Sequence, residues 1–193
     1  MKAKFIAAAT LLALGSGAAQ AAPIAYAATL APEVAGATGT GSASVIIDPV
    51  AQTLAVSFTF SGLSGETSVA HVHCCTAVPG SGTIGVAATP TTFPGFPAGL
   101  HAGSYAGMFD TGSPTTWTAA FVTAFGGGTL AGAEQALIAG LNSGSAYLNV
   151  HTNLFPAGEI RGFLLRVPEP ASLGLVAVGL LGLAAVRRGK RGR

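Results

Sequence analysis

The sequence predicts a mainly β domain, an antiparallel sandwich or barrel with one or two short inserted helices, set between two apolar ends. Three observations carry this. Residues 53–60 alternate without a break, with Leu54, Val56, Phe58 and Phe60 on one face and Thr53, Ala55, Ser57 and Thr59 on the other, the period of a half-buried strand. Short apolar stretches of similar length recur between Gly- and Pro-rich turns. Helical spacing appears only between Ser113 and Gly144.

The two ends are addresses rather than fold. Residues 1–21 read as a signal peptide: Lys2 and Lys4 open it, an apolar run follows from Phe5 to Leu14, and Ala19-Gln20-Ala21 fits the small-x-small cleavage pattern. Export places the chain in an oxidising compartment. Residues 22–166 form the β domain. Residues 167–193 contain Pro168-Glu169-Pro170, an uncharged run over 171–186, and a tail with Arg187, Arg188, Lys190, Arg191 and Arg193. The run is predicted as a transmembrane helix. At about 1.5 Å per residue it reaches roughly 24 Å, spanning a core of about 30 Å with help from snorkelling flanks. The basic tail would stay in the cytoplasm.

This three-part end resembles the PEP-CTERM sorting signal of Gram-negative bacteria. The resemblance implies recognition by an exosortase, cleavage near the motif, and passage from an inner-membrane intermediate to the cell surface or extracellular matrix. Signal peptidase and exosortase are therefore the expected processing partners, with the membrane engaged through 171–186 until cleavage.

Charge separates the ends from the body. Seven of the nine basic residues lie at the two ends. The body keeps Arg161 and Arg166 against Glu33, Asp48, Glu66, Asp110, Glu134 and Glu159, a formal charge of −4. A domain without a basic face is not a nucleic-acid binder. Envelope polysaccharide or protein is the expected class of partner.

Within the body, residues 23–30, 42–47 and 53–60 read as successive strands, with 48–52 as a hairpin loop. Residues 67–76 make a strand in which His71 and His73 share a face. Residues 83–88 and 101–110 read as further strands, separated by the Pro-rich loop 90–99. Ser113 suits an N-cap and Pro114 the first helical position. Trp117, Ala120, Phe121, Ala124 and Phe125 then fall on one helical face. Gly126-Gly127-Gly128 stops that helix, and a second starts at Thr129 and ends over 142–144. Residues 146–163 close the domain as a hairpin.

Ala70-His71-Val72-His73, the stretch from Ala146 through His151 to Thr152, and Gly158-Glu159-Ile160-Arg161-Gly162 together resemble the chordin-type, or CHRD, domain over roughly residues 24–166. The resemblance implies an immunoglobulin-like antiparallel β-barrel and a place among bacterial surface proteins, without a defined activity. Cys74-Cys75 departs from the pattern, standing where a small turn residue is expected.

The chemistry-bearing residues are few. His71, His73 and His151 converge if the central and terminal strands are neighbours, and imidazole is the commonest transition-metal ligand. The bland reading has them bonding the backbone and orienting loops. Glu159 and Arg161, two apart on a strand, are expected to pair as an ion clasp, in one polar cluster with Asn149 and His151. Cys74 and Cys75 are the only cysteines. They can form a vicinal disulfide, remain buried thiols, or join the histidines as metal ligands.

No Ser-His-Asp pattern, phosphate loop or nucleotide fingerprint is present. The reading is a non-enzymatic surface or matrix protein with no cofactor. The alternative is a copper- or zinc-binding protein, or a metal-dependent oxidoreductase, using His71, His73, His151, Cys74 and Cys75.

Overall fold

A computed structural model describes residues 22–168 and 178–182. The signal peptide read over 1–21, most of the apolar run over 171–186 and the basic tail lie outside the described residues. Residues 178–182 are helical, but among the described residues no helix is long and apolar enough to cross a membrane.

The strands are β1 (Ile24–Pro32), β2 (Thr40–Asp48), β3 (Thr53–Ser61), β4 (Thr67–His73), β5 (Val86–Ala88), β6 (Gly103–Asp110), β7 (Tyr147–Thr152), β8 (Ile160–Phe163) and β9 (Leu165–Arg166). They form one curled antiparallel sheet in the order β5-β4-β7-β8-β1-β2-β3-β6, with β9 also on β1. The curl passes through β1, which changes partner along its length. Residues 24–30 pair with β2, while Ala31 and Pro32 pair with β8. The expected β class holds, as a half-barrel in which one strand serves both sides.

The inner face is dry. Tyr26, Leu30, Val45, Ile47, Leu54 and Val56 on one side face Ala70, Val72, Leu148, Val150 and Ile160 on the other, all essentially buried. Phe58, Phe93, Phe96 and Tyr105 add an aromatic knot with ring centroids 5.2–6.1 Å apart. Each such side chain stabilises the fold by about 1.5–3 kcal/mol through removal from water.

Two helices fill the connection between β6 and β7. α1 (Ala119–Ala124) is capped by Thr118, whose hydroxyl accepts from the Phe121 amide. α2 (Leu130–Ser143) starts at the Thr129 cap and ends at Gly144, whose φ of +72° a residue with a Cβ adopts only at a cost. The continuous helix expected from Ser113 to Phe125 is instead a 3-10 turn (Pro114–Thr116) and α1, divided at Trp117. Trp117 is extended because its indole N–H donates to the Thr111 carbonyl at 2.9 Å and its backbone bridges Ala88. A buried indole requires that partner, and the helix yields to it.

Candidate metal centre

The side of β4, β7 and β8 turned away from the dry core is also covered. Every residue of β7 is buried. The register places His71 opposite Asn149, His73 opposite Tyr147, and Asn149 opposite Arg161. Alternation then sends His71, His73, Tyr147, Asn149, His151 and Arg161 to this second face. Two loops lie over it. The Ile84 carbonyl accepts from His73 Nδ1 at 2.7 Å, and Ile84 exchanges 3.3 Å contacts with the Tyr147 hydroxyl. On the other flank His151 Nδ1 donates to the Pro156 carbonyl at 2.9 Å. These bonds explain why β5 begins at Val86 and not at Thr83: the backbone at Ile84 serves the histidines and not the ladder.

Three imidazoles meet under these loops. His71 lies edge-on to His73 and to His151, with centroids 4.7 and 4.6 Å away. One ring nitrogen from each of the three lies within 4.8 Å of the others. A carbonyl only accepts, so the bonds to Ile84 and Pro156 place the protons of His73 and His151 on Nδ1 and leave lone pairs on Nε2. Those Nε2 atoms, and Nδ1 of His71, are buried without a hydrogen-bond partner.

Burial keeps the rings neutral. Desolvation, then the neighbouring His73 and His151, lowers the pKa of His71 to about 3. Desolvation lowers that of His73 to about 4 against the opposing carbonyls of Ile84 and Gly85. His151 is lowered by desolvation, offset in part by its Pro156 bond and by Glu33. Neutral imidazoles with buried, unpartnered ring nitrogens are in the protonation state a metal requires. His101 stands apart, with Nδ1 on the Leu63 carbonyl at 3.0 Å.

Arg161 and Glu159 correct the expected clasp. Arg161 pairs with Glu33 at 3.1 Å and donates to the Gly82 carbonyl at 2.9 Å. Its guanidinium lies over the Tyr147 ring, 5.1 Å from the centroid. Glu159 precedes β8 and is fully buried. Its carboxylate accepts from the amides of Ser64 and Gly65 and from the Thr152 hydroxyl. Three donors already satisfy it, so it needs no cation. Glu159 ties the β3–β4 turn to the β7–β8 loop, and Arg161 holds Glu33 and the 79–85 loop. In the sequence Glu33 counted only toward the negative charge of the body.

Of the three alternatives for the cysteines, the structure has the vicinal disulfide, which takes them out of the ligand set. Cys74 and Cys75 are joined by a disulfide. Cys74 follows His73 and so turns to the opposite, core-facing side, where both sulfurs pack on Gly140 of α2. The His-only cluster is what remains for a metal.

Compared with known protein families, residues 25–164 match the CHRD domain, well over half of the chain. The chain belongs to the CHRD domain family. Residues 166–188 match the PEP-CTERM protein-sorting motif, which implies exosortase processing, export, and a surface or extracellular location. No curated protein and no solved structure matches the chain. In this CHRD domain the two histidines of the Ala70–His73 stretch and the one in the closing hairpin are those that meet. The hairpin's Gly158 lies against the Asn149–Glu33 contact.

Proposed function

We propose that this is a non-enzymatic surface protein whose CHRD domain holds a divalent zinc or copper ion on His71, His73 and His151. The observation that carries the reading is that His71, His73 and His151 each offer a ring nitrogen within 4.8 Å of the others, and each has a buried ring nitrogen without a partner. Histidines that merely orient loops would have both ring nitrogens bonded or one in water. Here Nδ1 of His73 and of His151 is bonded to the backbone, while Nε2 of each is buried and unpartnered. That division of labour between the two ring nitrogens is typical of metal-bound histidine. Bonds of about 2.0–2.1 Å would draw the three nitrogens closer together around the ion. Surface sorting gives the site its setting, in which such a domain captures a scarce ion or uses it to bind envelope material.

The test is metal analysis and titration calorimetry on the exported protein. One equivalent of Zn(II) or Cu(II) should bind, and the His71→Ala, His73→Ala and His151→Ala variants should each lose it. Sub-stoichiometric binding, equal in wild type and variants, would remove the metal reading and leave a purely structural cluster.

A further inference from the structure

We infer that Asn149 supplies a fourth, oxygen donor to the same ion. The centre would then be a three-nitrogen, one-oxygen site suited to a divalent ion over Cu(I). This inference rests on the metal reading above.

Asn149 is 1% exposed, and its Oδ1 is the one other buried side-chain atom without a partner among the described residues. A buried amide oxygen is ordinarily satisfied, so an orphan on the same sheet face as three orphaned nitrogens points to a shared ligand. The register puts Asn149 at the middle of the group. It stands directly opposite His71, with His151 two residues along its own strand and His73 on the diagonal. Opposed side chains on adjacent strands start about 4.5–5.5 Å apart, within reach of one ion.

The orientation of the amide is fixed from behind. Nδ2 donates to Glu33 Oε2 at 2.7 Å, and the other Glu33 oxygen is held by Arg161 at 3.1 Å. A carboxylate only accepts, so the nitrogen must lie on the Glu33 side and the oxygen on the other branch. Gly158, at φ +130°, closes over this pair, and a Cβ there would overlap both Asn149 and Glu33. An N–H donated to a carboxylate also pushes electron density toward the amide oxygen, making it a better donor. Imidazole with a hard carbonyl oxygen suits Zn(II) or Cu(II), whereas Cu(I) selects soft sulfur.

The experiment uses Co(II) as a spectroscopic probe and Zn(II) competition for affinity, on the full exported protein. Asn149→Leu, close in shape but without a donor, should weaken Zn(II) binding about 10–100-fold and change the visible Co(II) bands. Asn149→Asp, which keeps an oxygen at that position, should keep bands close to wild type. Glu33→Gln should weaken binding less than Asn149→Leu and leave the bands in place. If Asn149→Leu binds Co(II) with wild-type bands and affinity, Asn149 is not a ligand, and the three-histidine site stands. If wild type itself binds no metal, the underlying reading falls.

Discussion

The imidazole of His73 lies flat on the phenol ring of Tyr147, with centroids 4.6 Å apart and planes 4° from parallel. The ring sets the plane of one proposed ligand, while the Tyr147 hydroxyl holds the covering loop at Ile84. These two roles separate by substitution. Tyr147→Leu removes the stacked surface and should weaken Zn(II) binding about tenfold, as loss of an orienting partner does. Tyr147→Phe keeps the stack and should stay within about threefold, at a stability cost of about 1 kcal/mol for the lost hydrogen bonds. Wild-type affinity in Tyr147→Leu would remove the orienting role.

The depressed histidines set a pH window. Unfolded histidine titrates near 6.5, whereas folded His71 and His73 titrate at about 3 and 4. Between these values the unfolded chain binds more protons, so metal-free stability is full above about pH 6.5 and falls as pH drops toward 3. The urea midpoint of the apo protein should decline across that range. A His71→Asn/His73→Asn variant should flatten the decline. An equally steep decline in that variant would assign the acid sensitivity elsewhere.

Glu159 produces a second, lower window. Burial opposes its ionisation, but the bonds from Thr152, Ser64 and Gly65 prevail and hold the carboxyl below its usual range. Its contribution is therefore present above about pH 4.3 and is lost as pH falls through the lower folded value. Glu159→Ala strands two buried amides and a hydroxyl, and should cost about 3 kcal/mol at pH 7 in chemical denaturation. A cost under about 0.5 kcal/mol would mean the two turns hold together without it.

Gly140 faces the disulfide from α2. A Cβ there would overlap the sulfurs of both Cys74 and Cys75. Alanine in a helix interior normally gains up to about 1 kcal/mol over glycine. Here overpacking should win, with Gly140→Ala destabilising by about 2 kcal/mol. The penalty should shrink in a Cys74→Ala/Cys75→Ala background, where the space is open. Equal penalties in both backgrounds would place the cost in the backbone instead.

Much of the fold was legible because strands half exposed to water alternate. β3 shows this: its inward Leu54, Val56, Phe58 and Phe60 are buried as the pattern implies. The centre was legible in part, since His71 and His73 share a face by spacing alone. Their meeting with His151 depends on β4 pairing with β7, a contact across some eighty residues that no local pattern encodes. The Glu159–Arg161 pairing failed for a related reason. Spacing by two puts residues on one face only inside a strand, and Glu159 lies just before β8. Glu33 became the partner of Arg161 because β1 pairs with β8 at its far end, which only the closed topology reveals. The division at Trp117 was hidden because helical spacing cannot register an indole that needs a carbonyl.

The two-residue strand β9 lies on β1, with Tyr26 opposite Arg166 and the Val167 amide on the Ala25 carbonyl at 2.8 Å. Pro168 follows at once. Pro168 thus sits one residue beyond a bond to the strand with which the domain begins. The first and last strands are therefore zipped together, so the closing end of the domain is fastened to its opening one.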